Sequence, residues 1–128
     1  MREPLRDRER LQHMIEAINR ISRYIHGHTH EDLMADDMMY YAVVKNIEII
    51  GEAANMLSNQ FIESHKEVPW KMIRGMRNYI VHEYFQIDDT VVWSVVNSDL
   101  PQLKQKLKQY IDETNWQQWE EQNPMSVI

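Results

Sequence analysis

The chain has no cysteine, only three glycines and only four prolines among 128 residues. Without cysteine there is no disulfide scaffold, no thiolate zinc site and no cysteine nucleophile, and a reducing compartment is allowed. Three glycines cannot form a Gly-rich loop that cradles a nucleotide. So few chain breakers also argue against a sandwich or barrel with many turns and favour a few long helices. No stretch approaches the roughly 18 uncharged apolar residues that a membrane span needs, and the charged segment from Met1 to Arg10 has no apolar run behind it, unlike a cleaved leader. These features predict a cytoplasmic protein with no membrane attachment. An excess of positive charge is also missing. The 14 Lys and Arg residues face 20 Asp and Glu residues, for a net charge of −6, so any nucleic-acid contact has to be local rather than a broad basic surface. One such reversal lies between Lys66 and Phe85, where Lys66, Lys71, Arg74 and Arg77 outnumber Glu67 and Glu83.

What is present is helical periodicity. Leu11, Ile15, Ile18 and Ile25, flanked by Met14 and Ile21, predict a first amphipathic helix from about Leu5 to Ile25, with Gly27 as its stop and polar loop up to Asp32. A second helix is expected from about Met34 to Leu57. Its apolar residues Val43, Ile47, Ile50, Ala54 and Leu57 form one face, and Tyr41, Ile49, Ala53 and Met56 form another, so it is central or at a subunit contact. Gly51 within it costs roughly 1 kcal/mol relative to Ala and fits a position where another helix approaches closely. Phe61 to Val68 reads as a connector with at most one short turn. Pro69 suits the first position of a third helix running to about Phe85. Asp88, Asp89 and Thr90 offer caps for a fourth, which Pro101 ends or kinks, and Leu100, Leu103, Leu107 and Tyr110 or Ile111 carry a further segment. The β-branched Val91, Val92, Val95 and Val96 favour a strand by propensity, but a lone strand would have no partner. The expectation is an all-α bundle of four to five helices with one domain over residues 1–114. A polar, irregular tail follows over 115–128, with Trp116 and Trp119 folding onto the body or onto a partner.

The third helix carries the chemistry. Trp70, Ile73, Ile80 and Tyr84 share a stripe whose middle position is Arg77. A guanidinium in an apolar stripe has to find a carboxylate, a phosphate or water, because burying it unpaired costs several kcal/mol. A salt bridge to Glu48 or Glu52 is one solution and a bound anion is the other. His82 stands five residues on, about 140° around an ideal helix, with Asn78 one turn before it. Paired with Asn78 alone, His82 would be a structural histidine. In combination with Arg77, Asn78 and Tyr84, an imidazole that titrates near neutrality beside a fixed positive charge suits phosphodiester chemistry.

The run Gly75-Met76-Arg77-Asn78-Tyr79-Ile80-Val81-His82-Glu83-Tyr84-Phe85 resembles the R-x4-H-x-Y motif of the HepT family of HEPN-domain toxins. Asp7-Arg8-Glu9-Arg10-Leu11-Gln12-His13-Met14, Ile47-Glu48-Ile49-Ile50-Gly51-Glu52-Ala53, Val68-Pro69-Trp70 and Asp99-Leu100-Pro101 are similar to that family's recurring segments, in the same order. The resemblance covers roughly residues 5 to 112. It implies an all-α HEPN-like homodimer acting as a metal-independent endoribonuclease, with no cofactor, within a toxin-antitoxin pair. The substrates it implies are RNAs, including tRNA and mRNA. Carried over by residue, Arg77 and His82 are the catalytic pair and Asn78 supports them. Tyr84 is the residue that a MntA-like nucleotidyltransferase antitoxin would modify with AMP; otherwise it is a half-buried tyrosine completing the stripe.

A rival reading is a non-catalytic HEPN subunit that docks a nucleotidyltransferase and presents substrate or nucleotide to it, although an intact Arg77 and His82 favour the nuclease. A purely structural dimerisation bundle would treat Arg77 as a salt-bridge residue. His26, His28 and His30 alternate along a loop and raise the question of a metal site, against the simpler reading of solvated side chains. The nine methionines are either core filling or an adaptable surface.

Overall fold

A computed structural model of the chain describes residues 6–78 and 89–124. Every element among the described residues is helical, and none of these helices is long and apolar enough to cross a membrane. The first, α1 (Asp7–Ile25), buries Leu11, Met14, Ala17, Ile18 and Ile21, while Ile15 and Ile25 are only partly covered. Gly27 follows with φ at +75°, the left-handed conformation that ends helices at little cost for glycine.

The segment expected as loop contains a short helix, α2 (His30–Ala35). Its start is a reciprocal cap. The Asp32 N–H donates to Thr29 Oγ1 at 3.1 Å and the Thr29 N–H donates to Asp32 Oδ2 at 2.9 Å. These bonds, the backbone one foremost, hold the Asp32 carboxyl below its usual pKa. Extended backbone at Asp36 then breaks the run, and Asp36 caps α3 (Asp37–Asn55) by accepting the Met39 N–H at 3.0 Å. The helix expected from Met34 is therefore two elements joined at a capping aspartate.

Helix α3 lies at the centre, packed against α1, α2 and the segments that follow it. Val43, Ile47, Ile50 and Ala54 are fully buried. On the second apolar face Ala53 is buried and Ile49 partly so, but Tyr41 and Met56 are more than half exposed. Asn46 pins α3 to α1. Its side-chain amide donates to the Ala42 carbonyl at 2.8 Å, and its Oδ1 accepts Arg20 Nε at 2.7 Å, so both ends of a buried polar group are satisfied.

Further short helices replace the expected irregular stretches. Ser58 caps α4 (Asn59–Ser64), whose Phe61 is fully buried in an aromatic cluster. Phe61 stacks on His65 at 3.9 Å between ring centroids and meets Trp70, Tyr110, Trp116 and Trp119. After Pro69, α5 (Trp70–Gly75) tightens into a 3-10 turn over Met76–Asn78. Helix α6 (Asp89–Ser94) passes through a π-helical segment (Val95–Asp99) into α7 (Leu100–Glu113). Val92, Val95 and Val96 are buried, so tertiary packing overrides their strand propensity. Pro101 is the second residue of α7 and does not end the helical course. The wide turn before it, in which the Leu100 N–H donates to the Val95 carbonyl, relieves the clash a proline ring makes with the carbonyl four residues back.

The tail is ordered over α8 (Trp116–Gln122), capped by Asn115, and it folds onto the body. Trp119 Nε1 donates to Asp7 Oδ2 at 3.3 Å, and the same Asp7 carboxylate accepts the Ser58 N–H at 2.8 Å and the Ser58 hydroxyl at 2.7 Å. One carboxylate thus joins α1, α4 and α8.

Candidate functional site

The site is built on α5 and the turn that follows it. Trp70 anchors the start of α5, with its ring edge against Phe61 and its Nε1 donating to the His65 carbonyl at 2.8 Å. Ile73 and Met76 continue the buried face. The 3-10 tightening puts Met76 into the core and leaves Arg77 at its boundary, half-buried, with Asn78 exposed. Arg77 therefore sits beside the apolar face of Trp70, Ile73 and Met76, while Ile80 and Tyr84 of the expected stripe lie outside the described residues.

Gly51 fixes how deep this turn can sit. A Cβ at Gly51 would lie 3.0 Å from the Met76 carbonyl carbon and 3.1 Å from Arg77 Cα, and closer still to the Arg77 nitrogen. Only a residue without a side chain lets the Arg77 backbone approach α3 this closely. The close approach expected at Gly51 is therefore met by the very segment that carries Arg77.

Arg77 Nη1 is shielded from solvent and has no hydrogen-bond partner among the described residues. The salt bridge weighed from the sequence does not form: Glu48 pairs with Lys45 at 3.3 Å, and Glu52 is exposed and makes no ion pair with Arg77. A buried donor left unpaired costs about 1–3 kcal/mol, more when charged, so among the described residues Arg77 is left free to take an anion. Planar geometry and permanent charge make arginine well suited to a phosphoryl group.

Of the other residues singled out in the sequence, His82 and Tyr84 lie outside the described residues. The loop histidines do not converge. His28 pairs with Asp32 at 3.4 Å, His30 stacks on Trp93 at 5.7 Å, and no group of three potential metal ligands occurs among the described residues. A groove of about 670 Å³ runs between α5 and α7, floored by Val68, Ile73, Met76, Val95 and Leu103, and neither Arg74 nor Arg77 lines it. Its lysine, Lys106, is already paired with Glu67, which makes Arg77 the better guide to the chemistry.

Comparison with known proteins gives the family. The family model described as "Ribonuclease HepT-like" matches residues 14–110, which include α3, α5 and Arg77. A Thermococcus cleftensis protein named "Probable ribonuclease HepT" is 37% identical over 98 residues, covering 77% of this chain and 89% of its own length. Two proteins named as candidate RNases are each 34% identical. One, from Caldanaerobacter subterraneus, aligns over 101 residues, 79% of this chain and 90% of its own. The other, from Methanocaldococcus jannaschii, aligns over 98 residues, 77% and 90% respectively. No solved structure matches the chain. The chain belongs to the HepT-like ribonuclease family.

Proposed function

We propose that this protein is an endoribonuclease of the HEPN toxin type that cleaves RNA by attack of a ribose 2′-hydroxyl, without a metal ion. The observation that carries the reading is the shielded Arg77 Nη1, without a hydrogen-bond partner among the described residues, in a chain of the HepT-like family. In this scheme His82 takes the 2′-hydroxyl proton as O2′ attacks the adjacent phosphorus. Arg77 stabilises the charge growing on the phosphoryl oxygens, and Asn78 supports the pair. The bond from phosphorus to the 5′ oxygen breaks, and that oxygen takes a proton from the partner subunit's His82. One imidazole cannot begin as both base and acid, so the chemistry gives a homodimer its rationale. The substrate is tRNA or mRNA in the cytoplasm. Purified protein incubated with RNA and a chelator is expected to yield 2′,3′-cyclic phosphate and 5′-hydroxyl ends. Cleavage that appears only on adding a divalent metal overturns the scheme.

The same reading assigns control to a MntA-like nucleotidyltransferase antitoxin that transfers AMP to Tyr84. An adenylyl phosphate there would compete for the anion position of Arg77 and block RNA entry. Intact mass after coexpression with such a nucleotidyltransferase is expected to rise by one adenylyl group, localised to Tyr84 by fragmentation. An inactive complex with unmodified Tyr84 excludes this mode of control.

A further inference from the structure

We infer that Arg74 is a second anion-binding residue of the site, holding the RNA phosphate next to the one that Arg77 engages; the inference rests on the ribonuclease reading above. Arg74 lies three residues before Arg77, so in a helix the two side chains emerge from the same flank with Cβ atoms about 5–6 Å apart. The change from α to 3-10 geometry brings them closer in direction, because residues three apart nearly eclipse in a 3-10 helix. Both arginines are half-buried. Each has one guanidinium nitrogen, Nε of Arg74 and Nη1 of Arg77, that is shielded from solvent and without a hydrogen-bond partner among the described residues.

Among the described residues, three acidic side chains of the neighbouring segments are engaged elsewhere, and Glu52 makes no ion pair with either arginine. Glu63 pairs with Lys66 at 3.1 Å, Glu67 pairs with Lys106, and Glu48 pairs with Lys45. The Glu67–Lys106 bond holds the glutamate below and the lysine above its usual pKa, so both remain charged across the neutral range. Neither arginine forms an ion pair among the described residues, and two like charges on one flank repel each other. A single carboxylate would answer one of them. A chain of repeating negative charges answers both, and among the ligands of a ribonuclease that chain is the phosphodiester backbone. With a net charge of −6 repelling RNA elsewhere, two such cations make up a large part of the attraction.

The test uses the full-length protein and one single-stranded RNA in two forms, cleavable and 2′-O-methylated. Binding of the methylated form is followed against salt, and kcat and KM are measured on the cleavable form. Arg74→Gln is expected to flatten the log–log salt dependence by about 0.7, the loss of one phosphate contact on a single strand. It should also raise KM about tenfold, with kcat affected far less. Arg74→Lys, which keeps the charge, restores the slope. An unchanged slope and KM in Arg74→Gln overturns the inference and leaves the ribonuclease reading intact, and so does a drop in thermal midpoint as the only effect. Wild-type protein that neither binds nor cleaves RNA overturns both.

Discussion

Arg77→Met is expected to abolish measurable RNA cleavage while the thermal midpoint holds or rises. The two halves of this result have one cause. Arg77 keeps a shielded nitrogen with no hydrogen-bond partner among the described residues, so its charge is a standing cost to the folded protein in the absence of an anion. Methionine preserves much of the unbranched stem and removes that cost, and swaps that conserve volume in partly buried positions usually change stability by less than about 1.5 kcal/mol. Loss of a preorganised charge aimed at the reacting phosphate costs about 10²- to 10³-fold in rate. His82→Ala is expected to lose cleavage as well, through removal of the general base. A structural arginine behaves in the opposite way, because deleting one partner of a buried ion pair costs about 3–5 kcal/mol. A strongly lowered melting temperature with cleavage retained would therefore reassign Arg77 to the scaffold.

The second large effect is at Gly51, with Gly75 as its control. Alanine in a helix interior gains about 0.5–1 kcal/mol over glycine, and a Cβ at Gly75 would meet nothing within 4 Å among the described residues. Gly75→Ala should be neutral or slightly stabilising. At Gly51 the same methyl group meets the backbone of Met76 and Arg77, and backbone cannot step aside by changing rotamer. Overpacking of this kind costs about 1–3 kcal/mol, which outweighs the propensity gain. The relief available is outward movement of the turn carrying Arg77, so Gly51→Ala is expected to lower both the unfolding midpoint and the cleavage rate. Misplacement by about 1 Å is enough to cost on the order of 100-fold. Paired denaturation and cleavage assays on the two alanine variants read this directly. Equal behaviour of the two would show that the close approach is not a constraint.

Much of this molecule is written in local pattern. The spacing of Leu11, Ile15, Ile18 and Ile25, flanked by Met14 and Ile21, and of Val43, Ile47, Ile50, Ala54 and Leu57, specified two amphipathic helices, and all of these residues are buried except Ile15 and Ile25, which are partly covered. Gly27 marked a stop, Gly51 marked a close approach, and the order of short motifs around Arg77 pointed to the family. These features succeed because helical periodicity and capping are decided within one or two turns of chain. The capping box of Thr29 and Asp32 was also local, but the pattern around it was dominated by the apolar run that starts at Met34 and hid the break at Asp36.

Other features came only with the packed chain, because they join residues that are remote in sequence. Asp7 reaches Ser58 across 51 positions and Trp119 across 112, which is why the tail that reads as irregular is a docked helix. The turn of Arg77 is pressed onto Gly51 of a different helix, and the π-helical segment before Pro101 forms where valines had to be buried in a helical layer. The amino-acid order by itself determined the apolar faces of the two long helices and which arginine belongs to the motif. Three-dimensional packing decided that this arginine keeps a shielded nitrogen without a carboxylate partner among the described residues, because whether a charge is satisfied depends on every neighbour around it and no single stretch of chain holds them all.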